Sequence, residues 1–129
     1  DTLLLDLYLR TENSTTVVLR SAHLYTGRVL PRITRFSSVV RNSNTLNDAV
    51  AVPPDTTTYA ASNTSVTITN SSVTTSKIYF FKASDGNYGR LLVKRQTNGS
   101  LIGSTSPDRF LELEVSYQTS PYNPYVRRK

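Results

Sequence analysis

Alternation of apolar and polar residues with a period of two is the feature that most constrains the fold of this chain. In residues 2–10 leucine occupies every odd position from 3 to 9, and in residues 110–118 apolar side chains alternate with Glu112, Glu114 and Ser116. Because successive side chains of a strand point to opposite faces, both segments are predicted to be strands with one wet face. Further strands are predicted at residues 15–25, 66–69, 77–82 and 88–95.

Two hairpins are expected between these strands. Polar residues 11–14 separate the first two strands. Residues 84–87 contain an Asp-Gly pair between two apolar runs, which is a strong hairpin signal. With a two-residue loop, one face of this second hairpin would carry Ile78, Phe80, Leu91 and Val93, and the other Tyr79, Phe81, Tyr88, Arg90 and Leu92. Both faces are apolar enough to bury, so the hairpin is either central in a sandwich or presents an exposed binding patch.

Residues 28–41 fit either a short helix or a strand. Apolar residues recur there at helical spacing, and Pro31 suits the first turn of a helix. Ile, Thr, Ser and Val are however mediocre helix formers, and residues 37–40 fit a strand equally well. The sequence leaves open a short helix near residues 31–41.

The sequence predicts an all-β fold, either an antiparallel β-sandwich or a small barrel of about six to nine short strands. A chain of 129 residues fits one domain, which we expect to span residues 1–120, followed by an extended basic tail at residues 121–129. No apolar run is long enough to span a membrane. The chain starts at Asp1 and contains no methionine, from which we expect a removed leader and an extracellular, cell-surface or periplasmic location.

Catalytic chemistry has little support in the sequence. The chain is cysteine-free, which excludes disulfides, thiolate nucleophiles and thiolate metal ligands, and His23 is its only histidine. Glu112 and Glu114 are the one close acidic pair, but they share a strand face instead of flanking a cleft. We expect them to be solvated or to pair with Lys or Arg across strands. We therefore expect no enzymatic activity, no cofactor and no metal.

Positive charge is the more informative signal. The formal net charge is +6, and between Glu12 and Asp48 the chain carries arginines but no acidic residue. Arginine forms bidentate contacts with carboxylate, phosphate or sulfate, so this basic stretch predicts binding of a polyanion or an acidic partner. The alternative is that the arginines protect sheet edges from aggregation. The predicted binding residues are Arg28, Arg32, Arg35 and Arg41.

Three functions fit this pattern. The first is a secreted or cell-surface binding or adhesion domain whose ligand is a glycan, an anionic surface or an acidic protein. It would use the arginines and an aromatic hairpin surface made of Tyr79, Phe81, Tyr88 and Arg90. The second is a basic β-barrel that binds single-stranded nucleic acid or another polyanion. The third is a structural subunit that forms a homo-oligomer by strand exchange, with residues 2–10 as the donor.

Overall fold

The computed structural model describes residues 7–13, 15–21, 33–46, 56–83, 86–105 and 108–117. The described residues form an all-β structure, as predicted, and their one helical element is a single 3-10 turn, Thr56–Thr58. The strands within these ranges are β1 (Leu7–Asn13), β2 (Thr16–Ser21), β3 (Arg35–Asn42), β4 (Ser65–Thr69), β5 (Lys77–Lys82), β6 (Tyr88–Val93), β7 (Gly103–Thr105), β8 (Asp108–Phe110) and β9 (Leu113–Tyr117). The predicted tail at residues 121–129 lies outside the described residues, as do residues 2–6 of the predicted donor strand. No described helix has the length and hydropathy that crossing a membrane requires.

The strands form three antiparallel sheets, in the orders β1-β2-β4, β3-β5-β6-β9 and β7-β8. The first two sheets share one hydrophobic core, an arrangement that fits the predicted sandwich or small barrel. The core side chains from the three-stranded sheet are Val17, Leu19 and Ile68, and those from the four-stranded sheet are Phe36, Tyr79, Phe81, Leu91 and Val93.

The two central strands of the larger sheet, β5 and β6, are buried on both faces. One face packs in the shared core, and the other carries a second apolar cluster. Leu46 and Tyr59 belong to no strand, yet they complete this cluster and so cover the outer face of the sheet. A strand buried on both faces has a continuous apolar run instead of alternation, which explains the four successive apolar residues in β5. The second cluster consists of Leu46, Tyr59, Ile78, Phe80, Tyr88 and Leu92.

The loop of the β5–β6 hairpin determines which side chains share a face. The Ala83 N–H donates to the Asn87 carbonyl over 2.8 Å, and the Gly86 N–H donates to the Ala83 carbonyl over 3.0 Å. Gly86 has a φ of 88°, the left-handed conformation that closes a three-residue loop. Phe80 therefore pairs with Arg90. The predicted two-residue loop is wrong by one residue, and both predicted face sets are wrong with it.

The hairpin of β1 and β2 is confirmed, with a tighter turn than predicted. Strand β1 continues to Asn13, with a bulge between Thr11 and Asn13. The Thr15 N–H donates to Asn13 Oδ1 over 2.9 Å, the side-chain turn that Asn favours. The first three residues of the predicted turn at residues 11–14 are therefore strand. β1 pairs with β2 of its own chain.

The ambiguous segment is a strand in its described part, and the helical alternative is wrong there. β3 pairs with β5, with a bulge between Phe36 and Val40. The spacing of four residues between Phe36 and Val40 looks helical, but their register partners Phe81 and Tyr79 place both side chains on one face of the strand. Ser37 Oγ shares a hydrogen bond of 2.6 Å with Thr58 Oγ1, which ties the strand to the 3-10 turn.

The predicted strand at residues 110–118 is interrupted, and although its side chains alternate between two faces as predicted, its apolar face is not the covered one. β8 ends at Phe110 and β9 begins at Leu113. Leu113 and Val115 are 38% and 48% exposed, whereas Ser116 is buried. The physical reason is position: β9 is an edge strand, and the shared core includes side chains of β6 but none of β9.

Close contact between Phe81 and Gly89 joins the two central strands. These residues are direct cross-strand partners. The ring of Phe81 lies over Gly89 so closely that a Cβ atom at position 89 would collide with it. Phe110 lies over its partner Gly103 in the same way in the β7–β8 pair. Glycine at these positions gives an aromatic ring room to pack against the neighbouring backbone.

Candidate functional site

The structure describes two of the four predicted basic residues. Arg35 and Arg41 lie at opposite ends of β3, whereas Arg28 and Arg32 lie outside the described residues. Arg35 pairs with Lys82 and Arg41 pairs with Ile78. Because Ile78 and Lys82 are four residues apart on β5, both arginines lie on the face of the larger sheet that carries the second apolar cluster.

Arg35 and Lys82 form a pair of like charges directly across two strands. Both residues are half-buried, and they are register partners in the β3–β5 ladder. Within the described part of the chain, no acidic side chain forms an ion pair with either of them. Like charges directly opposite each other destabilise a sheet. Among the described residues, the arrangement therefore places two positive charges without an acidic partner at one end of the larger sheet.

The described acidic side chains pair elsewhere. Arg10 Nε lies 3.1 Å from Glu12 Oε2 on β1. Lys94 Nζ lies 3.8 Å from Glu112 Oε2 and 3.1 Å from Glu114 Oε2. The predicted pairing of the two glutamates with a cation across strands is confirmed, and none of these three glutamates compensates the Arg35–Lys82 pair.

Tyr88 extends this basic pair into a row across three strands. It is the register partner of Lys82 on β6, and Lys82 Nζ lies 5.6 Å from the centroid of its ring. A cation over an aromatic face is attracted to the ring. Tyr59 packs edge-on against Tyr88, with centroids 5.1 Å apart and ring planes at 67°. The ammonium group is thus held over a ring that is itself fixed by packing. We call Arg35, Lys82 and Tyr88 the basic row.

The residues of the predicted aromatic hairpin surface lie inside the protein. Tyr79, Phe81, Tyr88 and Arg90 are all buried, with none more than 8% exposed. They also lie on opposite faces, because Tyr79 and Phe81 belong to the shared core and Tyr88 to the second cluster. Of the two alternatives for this hairpin, the central position in the sheet is the one that the structure has.

Comparison with known proteins identifies no relative. The chain matches no family model, no curated protein and no solved structure significantly. Its function is therefore inferred from residues and geometry.

Metal-binding side chains do not converge in the part of the chain that the structure describes. No group of three or more His, Cys, Asp or Glu side chains there could hold a metal ion. His23, the residue on which any histidine chemistry would depend, lies outside the described residues. The basic row is the strongest candidate site in the described structure. Of its members, Lys82 was absent from the predicted basic set, since only the pairing of β3 with β5 brings it to Arg35.

Proposed function

We propose that this protein is a non-enzymatic binding domain that binds an anionic ligand through the basic row. The observation that carries the proposal is the Arg35–Lys82 pair, in which two cations face each other across strands with no described acid to compensate them. Such a pair costs about 0.2–1 kcal/mol in a sheet. A carboxylate, phosphate or sulfate bound between the two cations would offset that cost. The guanidinium group of Arg35 would donate two parallel hydrogen bonds to the anion, and the ammonium group of Lys82 would attract it as a compact positive charge.

Burial of the aromatic member of the basic row favours an acidic glycan over single-stranded nucleic acid as the ligand. Single strands bind by stacking bases on exposed aromatic rings along a positive groove. Tyr88, the aromatic member of the basic row, is buried, so its ring supports Lys82 and offers no face to a base. We propose a ligand whose anionic groups alone are recognised, such as a sulfated or carboxylated glycan. We further propose an extracellular, cell-surface or periplasmic location, supported by the Ser- and Thr-rich all-β sequence.

The proposal is tested by titrating the full chain with heparin, a sulfated polysaccharide, at increasing salt concentrations. Binding should weaken as salt rises, because charged contacts are screened and counterions are released. The double variant R35Q/K82Q should lose about tenfold or more in affinity, since hydrogen bonds to charged groups are worth about 1.5–3 kcal/mol each. The matched control R10Q/K94Q removes the same charge from two cations that already have acidic partners, and it should bind nearly as well as the wild type.

Two results would contradict the proposal. Equal loss of heparin affinity in R35Q/K82Q and in R10Q/K94Q would show that net charge alone is sensed. Tighter binding of a single-stranded oligonucleotide than of heparin at the same salt concentration would favour the nucleic-acid function instead.

A further inference from the structure

The two edges of the larger sheet complement each other in charge, in apolar surface and in hydrogen-bonding direction. We propose that copies of this chain associate head to tail, with β9 of one copy adding to β3 of the next so that the sheet continues from copy to copy. This inference goes beyond the proposed anion binding and uses different residues.

Strand direction permits this contact. Within the described structure β3 and β9 are the two edge strands of the larger sheet. All three pairings between them are antiparallel, so β9 runs antiparallel to β3. A second copy in the same orientation, displaced along the sheet, would therefore place its β3 antiparallel to β9 of the first. The contact would continue the pattern that already holds the sheet together.

The outward-pointing backbone groups of β9 can be assigned from its ladder. The Lys94 N–H donates to the Glu112 carbonyl over 2.9 Å, so Glu112 directs its carbonyl toward the β6 side. Backbone groups of successive residues alternate in direction along an antiparallel strand. Leu113 and Val115 therefore direct their N–H and C=O groups away from β6, toward a further strand.

The same reasoning applies to β3. The Ser43 N–H donates to the Ser76 carbonyl over 3.1 Å, just beyond the end of the ladder with β5. By alternation, Asn42 and Val40 direct their N–H and C=O groups away from β5. At the other end of the strand the edge is closed, because the Phe36 N–H donates to the Asn63 carbonyl over 2.7 Å. The open part of this edge is therefore short.

The side chains of the two edges match row by row. The register partners form rows across all four strands of the larger sheet. One row contains Arg41, Ile78, Leu92 and Glu114. The adjacent row contains Val40, Tyr79, Leu91 and Val115. Without any stagger, a second copy would place its Arg41 opposite Glu114 and its Val40 opposite Val115. Val40 is 40% exposed, and Val115 is exposed on the same face of the sheet.

Both rows would make favourable contacts. Arg41 and Glu114 would form a pair without backbone hydrogen bonds between them, in which cross-strand side chains lie closest. Glu114 would then lie between Arg41 of the second copy and Lys94 of its own chain. The two valines would cover each other's apolar surface on the opposite face. A symmetric contact between two β9 edges would instead bring the glutamates of both copies together, which disfavours a twofold dimer. The charges therefore select a head-to-tail contact with a second copy of this chain.

The test is the mass of the full chain in solution, measured by sedimentation velocity over a wide concentration range. The wild type should show a weight-average mass that rises with concentration. R41E and E114R, each measured alone, should associate about tenfold or more weakly, because each turns the cross-edge ion pair into a pair of like charges.

Mixing provides the specific control. In an equimolar mixture, β3 of R41E meets β9 of E114R with opposite charges, and the reverse contact is that of the wild type. Association should therefore return in the mixture and also in the double variant R41E/E114R. Circular dichroism of each variant alone verifies that it is folded.

A proline variant separates strand addition from mere attraction between side chains. V40P removes an N–H that points away from β5, so it should abolish association while the circular dichroism spectrum stays native. A mass that does not depend on concentration in the wild type would overturn the proposal. So would single charge variants, or V40P, that associate as strongly as the wild type.

Discussion

Burial of two tyrosine side chains makes the free energy of unfolding depend on pH in the alkaline range. Burial raises the pKa of Tyr59 well above its ordinary value, and the neighbouring Tyr88 adds to the effect. Burial likewise raises the pKa of Tyr79 in the shared core. The cause in both cases is that a charged phenolate loses its hydration inside the protein. Both residues therefore keep their protons to a higher pH in the folded chain than in the unfolded one.

The free energy of unfolding should fall as the pH rises above about 10, where unfolded tyrosines lose their protons. In that range the folded state binds more protons than the unfolded state, so each further rise in pH favours unfolding. The double variant Y59F/Y79F should show a smaller fall than the wild type. Urea denaturation at several pH values from about 9 to 11 measures both slopes. Identical slopes in the two proteins would show that these tyrosines are not the cause.

Single residues of the candidate site could be predicted only in part. The run of arginines without acids is visible in the sequence, and it led to the prediction of Arg35 as a binding residue. The proximity of Lys82 to Arg35 could not be predicted, because no local sequence pattern indicates which strand pairs with β3. For the same reason the sequence could not show that Arg41 lies at the far end of the strand from Arg35.

At the level of elements, the sequence predicted strands better than the faces they present. The bounds of β5 were predicted correctly from its apolar run. Its faces were not, because a loop of three residues instead of two shifts the whole ladder by one. The predicted burial of β9 was wrong for another reason. Apolar and polar residues alternate in the same way in a central strand and in an edge strand, and only the neighbours of a strand decide whether its apolar face is covered.

The hairpin loop can be tested at Gly86. Its φ of 88° is a conformation that costs other residues about 1–2 kcal/mol, and Asn less than most. G86A should therefore lower the free energy of unfolding by roughly that amount, whereas G86N should lower it less. Nothing lies within 4 Å of a Cβ atom at this position, so the comparison is free of steric effects. Urea denaturation measures the difference, and equal stabilities would show that the loop adopts another conformation in solution.

At the level of the whole molecule, other parts of the chain pack against both faces of the larger sheet. The three-stranded sheet covers one face, and Leu46 and Tyr59 from outside the strands cover the other. In the sequence, residues 42–76 look like loop with short strands, since they are rich in Asn, Thr, Ser and Pro. Leu46 and Tyr59 lie 13 positions apart in this segment and belong to no periodic pattern, so their role in the core was not predictable.

Leu46 should therefore behave as a core residue although it lies in no strand. L46A should lower the free energy of unfolding by about 2–5 kcal/mol, the usual cost of removing a buried leucine side chain. The matched control is L9A on β1, where the leucine is 37% exposed and the cost should be below about 1 kcal/mol. Similar losses in both variants would mean that the cover over the second cluster is loose in solution.

The contact of Phe81 with Gly89 has a consequence for how this fold can diverge. The ring occupies the space that any larger residue at position 89 would need, so a larger residue there should occur only together with a smaller side chain at position 81. The two positions are also tied to the loop between them, because inserting or deleting one loop residue would move the ring off the glycine. An aromatic residue followed eight positions later by glycine, across a loop of fixed length, is thus a signature for recognising distant relatives of this domain.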